Sequence, residues 1–276
     1  MKYSLLAALI AQALVSWRCA TAQSSPSCKD ENGNDIDWFI IYKLPHNTLQ
    51  SFNPTGGKFA YVDDRISKNG LTYWPLSNQD LFKAENNPVA NTLRPLYEKN
   101  QRKDILYFVY NDQPPEAYKG KGKGKGHSKG VVLFDDTAGV WLLHTVPKFM
   151  EGLKSGSYKL PDSAKDNGQM FMCVTFKTKQ VEKIAKLLLT ENAKVYDHQL
   201  ADWMKENTYP EVERLARKEF VKGDHKYNTD LESNGGQRFR AYAKAAKADT
   251  GCKVVYSDLF LEQNSYREMG PDGVAA

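Results

Sequence analysis

A histidine two residues ahead of a lysine, at the start of an apolar run, is the feature of this sequence most able to do chemistry. His127-Ser128-Lys129-Gly130 leads into Val131–Phe134. In an extended chain, residues two apart point to the same side. A neutral imidazole and an ammonium placed this way can act together on a phosphodiester. His127 attacks phosphorus and Lys129 holds a non-bridging oxygen, with no metal or cofactor required. The other histidines, His46, His144, His198 and His225, form no ligand cluster by spacing. No HExxH, paired CxxC or Walker-type loop is present either. His-x-Lys by itself is common by chance, so its surroundings decide its weight.

Directly upstream runs Tyr118-Lys119-Gly120-Lys121-Gly122-Lys123-Gly124-Lys125-Gly126. Alternating glycine opposes helix and strand, and the lysines repel one another. The segment is expected to be a mobile cationic loop, either a solvated surface loop or a flap that attracts phosphate, and it delivers the chain into His127. Three further residues are candidates for substrate contact. His144 lies on the strand after a hairpin, Lys43 ends the first strong strand, and Asn111 ends another. Trp38 and Trp141 read as core.

The elements that must position these residues are visible as short apolar runs. Asp37–Leu44, Lys58–Asp63, Asp104–Tyr110, Gly130–Phe134, Gly139–Val146 and Met170–Phe176 read as strands. Asp135-Asp136-Thr137-Ala138 joins two of them as a hairpin. Pro88–Asn100 reads as a short helix. From Gln180 the texture changes: Gln180–Asn192, Asp197–Phe220 and Gln237–Ala248 read as helices. An α/β or α+β fold follows, with a central mixed β-sheet flanked by helices.

The N-terminus reads as a secretory leader. Leu5–Val15 is apolar, too short to span a bilayer, and Ala20-Thr21-Ala22 is a small-x-small cleavage pattern, so residues 1–22 are expected to be removed. Lys2 and Arg18 leave with the leader, so 36 basic residues then face 33 acidic ones. Net charge is therefore only mildly positive, and affinity for nucleic acid must come from a local patch. No membrane anchor is expected. Cys28, Cys173 and Cys252 remain, an odd number in an oxidising compartment, which suggests one disulfide and one leftover thiol.

The wording of several segments goes further. Asp37-Trp38-Phe39-Ile40-Ile41-Tyr42-Lys43-Leu44-Pro45, Asn111-Asp112-Gln113-Pro114-Pro115, His127-Ser128-Lys129-Gly130-Val131-Val132-Leu133-Phe134-Asp135 and Trp141-Leu142-Leu143-His144-Thr145-Val146-Pro147, in this order, resemble the deoxyribonuclease II family. The likeness is dense from Cys28 to Cys173 and looser to Leu259. The resemblance implies an acid endonuclease of lysosomes or secretions, acting on DNA without a metal ion or cofactor and leaving 3′-phosphates. It implies a phospholipase D-like fold of two lobes, each contributing one His-x-Lys. It assigns His127 and Lys129 to the first motif and pairs Cys28 with Cys173.

The sequence also departs from the family. The family's second His-x-Lys sits in an Asp-His-Ser-Lys-Trp-like segment, and none occurs here. His225 is followed directly by Lys226, which has the wrong spacing. The expected organisation is therefore a leader (1–22), a first lobe (23–176), and a helix-rich continuation with an incomplete second lobe (177–276). A homodimer is the expected route to a second motif. The competing expectation is a secreted DNA-binding or host-interaction protein that kept the lobe and lost turnover.

Overall fold

A computed structural model describes residues 24–46, 55–68, 73–98, 102–223, 225–245 and 257–261. The expected leader and Cys252 lie outside these residues. A short ribbon, β1 (Cys28–Lys29) with β2 (Asp35–Ile36), precedes the main sheet. That sheet has seven strands: β3 (Trp38–Lys43), β4 (Phe59–Asp63), β5 (Leu106–Asn111), β6 (Lys129–Phe134), β7 (Ala138–His144), β8 (Gln169–Lys177) and β9 (Val195–Gln199). Their order is β4-β3-β8-β7-β6-β5-β9. All the strand readings before residue 177 fall on these elements. Each pairing is antiparallel, so the sheet is not mixed. Hairpins and surface loops suffice for antiparallel neighbours, whereas parallel ones require long crossovers.

Period-two alternation divides the sheet into two cores. Phe39, Ile41, Val109, Val131, Leu133, Val140 and Leu142 face one side, against Val89, Leu93 and Leu96 of α2 (Pro88–Tyr97), which follows the short α1 (Asp64–Lys68). Pro88 and the Asn87 side chain start α2, the latter accepting from the Val89 and Ala90 amides at 2.9 and 3.2 Å. Trp38, Phe108, Val132, Phe134 and Trp141 face the other side. They pack on α3 (Val181–Glu191), α4 (Pro210–Arg217) and a second sheet. Both tryptophans are core, as read. The Cys28–Cys173 disulfide ties β1 to β8 across 145 residues, with the Cα atoms 5.9 Å apart.

The region after residue 177 corrects the sequence reading. Gln180–Asn192 is helical, as α3. Asp197–Phe220 is instead the end of β9, a turn region, and α4 over eight residues only. Gln237–Ala248 is strand where it is described. Arg238–Lys244 forms β11 between β10 (Lys226–Glu232) and β12 (Ser257–Leu261). Its alanines and basic residues are good helix formers, but Phe239, Ala241 and Ala243 bury one face at period two. Cross-strand pairing overrides the propensity. Nor does residue 176 mark the edge of the main sheet, because β9 adds to it beyond that point.

Candidate active site

Register gathers the sequence candidates at one end of the main sheet. Asn111 opposes Lys129, Gly130 opposes Leu143, His144 opposes Phe171, and Lys43 opposes Gln169. The resulting row of strand ends runs from β5 across β6, β7 and β8 to β3.

The decisive contact there is one the sequence reading passed over. Asp112 follows β5, and its backbone N–H donates to the Ser128 carbonyl at 3.3 Å. Its carboxylate lies between the two motif residues. Oδ2 is 2.8 Å from His127 Nδ1, and Oδ1 accepts from Lys129 Nζ. An ionised carboxylate only accepts hydrogen bonds, so Nδ1 carries the proton shared with Asp112, and in the neutral ring the lone pair is on Nε2. The His127 side chain is 56% exposed and that of Lys129 only 6%. The corner therefore offers an oriented imidazole to solvent over a rigid, buried cation. Asp112 lies within the Asn111-Asp112-Gln113-Pro114-Pro115 segment. The signal that points to it is the β5–β6 register, which places the residue after Asn111 beside the residues before Lys129.

The intervening residue anchors the motif from the other side. Ser128 Oγ donates to Glu191 Oε1 at 2.8 Å, fixing the start of β6 to the end of α3. Gly130 is required by packing. A Cβ there would lie 2.3 Å from the Tyr110 hydroxyl, which also accepts from Trp141 Nε1 at 2.9 Å.

The other candidates stand differently. His144 is buried next to the motif, against Phe149 and Phe171. Its Nδ1 accepts from the Val146 amide at 3.2 Å, and Nε2 is buried with no hydrogen-bond partner among the described residues. Burial first, and then the Lys129 charge, push its pKa down to about 3. Asn111 is fully buried. Its amide donates to the Val146 and Phe149 carbonyls at 3.2 and 2.9 Å, and its oxygen accepts from Gln113 N at 2.8 Å. This side chain holds the loop after β7 and has no donor left for a substrate. Lys43 lies three strands from Lys129, roughly 14 Å at ordinary strand spacing. It is fully buried, donating to the Leu44 and Gly56 carbonyls at 3.0 and 2.9 Å. Burial lowers its pKa to about 8, against the opposing pull of Asp166 and Asp80. Neither Asn111 nor Lys43 joins the His127 corner.

The lysine–glycine segment has no helix or strand, as expected, but it is seated on the protein. Lys125 N and Gly126 N both donate to the Asn192 carbonyl at 3.0 Å. Asn192 itself closes α3 in the left-handed conformation, at φ 62°.

Comparison with known proteins shows the family of the chain. The model of the family described as Deoxyribonuclease II matches residues 27–264. The chain belongs to the deoxyribonuclease II family. It is 32% identical over 226 residues to Deoxyribonuclease-2-alpha of Mus musculus, covering 80% of this chain and 61% of the relative. It is 33% identical to Plancitoxin-1 of Acanthaster planci, with 80% and 60% covered. It is 35% identical to Cell death-related nuclease 6 of Caenorhabditis elegans, with 84% and 58% covered. The chain thus spans about three-fifths of the length of these relatives. Within the family match lie the His127 motif, Asp112 and both disulfide cysteines. Among the described residues, no helix is long and apolar enough to cross a membrane.

Proposed function

We propose that this chain carries the first-lobe site of an acid deoxyribonuclease of the secretory pathway, lysosomal or secreted, that cleaves DNA phosphodiesters through a phosphohistidine. The observation that supports it most is the shared Asp112 carboxylate between His127 and Lys129. Asp112 holds the Nδ1 proton, so Nε2 attacks phosphorus. As the N–P bond forms, the bond to the 5′ oxygen breaks, and the phosphoryl group stays on the 3′ side. Lys129 stabilises the charge that develops on the non-bridging oxygens. Water then attacks the phosphohistidine, frees His127 and leaves a 3′-phosphate. Family membership supports DNA as the substrate.

The departing 5′ oxygen needs a proton. His144 cannot give it, because a histidine with a pKa near 3 is neutral at the mildly acidic pH where such an acid must be charged. We take the donor to be His127 of a second copy, an arrangement that the solvent-facing imidazole permits.

The test is plasmid nicking at about pH 5 in EDTA by the chain lacking residues 1–22, beside His127→Ala, over a range of protein concentrations. Nicking that vanishes in the variant, with a rate rising as the square of concentration at the low end, is the expected result. Nicking retained in His127→Ala overturns the nucleophile. DNA binding without nicking favours the alternative reading, a nuclease-derived binding protein.

A further inference from the structure

The lysine–glycine segment has more order than its composition suggests, and its order has a direction. Glycines and lysines alternate between two environments. A Cβ on Gly122 would lie 2.6 Å from the Val195 carbonyl oxygen, and one on Gly124 would lie 2.5 Å from that of Asn192. A Cβ on Gly126 would lie 2.4 Å from the carbonyl oxygen of Glu191. These three glycines lie flush against the turn that joins α3 to β9. Gly122 and Gly124 also have φ of 85° and 134°, where other residues are strained. Lys119, Lys121, Lys123 and Lys125 are all exposed. Lys119 is held by Glu116 at 3.1 Å, and Lys121 lies over the Tyr118 ring beside Lys154, which is 4.7 Å from the ring centroid. Among the described residues, Lys123 and Lys125 have no anionic partner. The backbone then enters His127 without a break.

We infer that Lys121, Lys123 and Lys125 form a fixed phosphate rail that lays one DNA strand along the α3–β9 turn and leads it to His127. This inference rests on the nuclease reading for its ligand and on the seated glycines for its rigidity. Lysines two residues apart stand at most about 7 Å apart along the backbone. That gives one cation per repeat to a polymer that carries one charge per nucleotide. No base edge is addressed, so the rail binds without sequence preference. Because the glycines seat the backbone before DNA arrives, little ordering entropy is lost on binding. A floppy tether of the same charge would lose more.

The test separates binding from turnover. Anisotropy of a labelled duplex oligonucleotide, titrated at several salt concentrations, is compared for wild type, Lys121→Gln/Lys123→Gln/Lys125→Gln, and a control, Lys177→Gln/Lys179→Gln. The control lysines lie at the opposite end of β8. Each lost phosphate contact lowers the slope of log K against log salt by about 0.9 on duplex DNA. The triple variant is expected to flatten the slope by about 2 to 3 and to weaken binding at least tenfold at low salt, while the control changes neither. Gly124→Ala, with every charge kept, is expected to weaken binding severalfold without altering the melting temperature of the core. An unchanged slope in the triple variant overturns the rail even if plasmid nicking persists. A flattened slope in a protein that never nicks keeps the rail and removes the nuclease reading.

Discussion

Two corners of one sheet end hold the same residue types and put them to opposite uses. At the β5–β6 corner, Lys129 and His127 share the carboxylate of Asp112, and the imidazole faces solvent. At the β3–β7 side, Lys43 and His144 are buried, one among backbone carbonyls and the other among phenylalanine rings. Burial lowers both pKa values, to about 8 for Lys43 against the pull of Asp166 and Asp80, and to about 3 for His144. Only at the first corner does one carboxylate bridge a lysine and a histidine and fix the imidazole tautomer. Without that anion they are structural groups that carry a desolvation cost.

The comparison is broken most severely by removing its anion. Asp112→Asn is expected to lower nicking by about 10²–10⁴-fold while leaving oligonucleotide binding intact, since a wrong tautomer has that scale of effect in comparable dyads. Activity within a few-fold of wild type would mean that Asp112 does not orient His127. Next come the two lysines, exchanged for an apolar side chain of similar length. Lys129→Met is expected to cost about 10²–10³-fold in turnover, and Lys43→Met to leave turnover unchanged. A loss in Lys43→Met would move Lys43 into the site.

Smaller effects sharpen the contrast through pH. The lowered Lys43 pKa means that the folded state prefers the neutral amine. Stability is then full above the unfolded value near 10.5 and declines as pH falls towards 8. Lys43→Met should remove that slope in denaturant melts between pH 8 and 10.5. The lowered His144 pKa acts in another window. Its contribution is full above about 6.5 and is lost as pH falls towards 3, with a slope of at most about 1.4 kcal/mol per pH unit. His144→Asn, which retains an acceptor for Val146 N–H, should flatten unfolding free energy between pH 6.5 and 4. Glu182 is expected to give the mildest effect, with the opposite sign. Burial raises its pKa to about 7, so its contribution is full below about 4.5 and declines as pH rises towards 7. Glu182→Gln should therefore stabilise the protein at neutral pH more than at pH 5.

The strands before residue 177 were legible because their apolar runs are bounded by prolines, glycines and acidic turns, and because β5 and β6 are buried on both faces. The last hundred residues were not. β10 and β11 are half-exposed strands whose polar and basic residues have no helical or strand signature strong enough to compete. Their register is set by each other and by α3. The same limit applied to the site. His127 and Lys129 stood out by spacing, but Asp112, fifteen residues upstream of His127, reaches them only through β5–β6 pairing.

By itself the sequence determined the His-x-Lys motif, the family, the disulfide candidates and the main strands, because each is written in local spacing or wording. The tertiary structure alone decided which charges are active. Lys43, Asn111 and His144 have the composition of a site, and the sheet register carries them to its edge. Only the distribution of carboxylates, carbonyls and aromatic rings in three dimensions separates a reactive corner from a buried one. Electrostatic energies depend on distance and on access to water, and neither is a property of chain position.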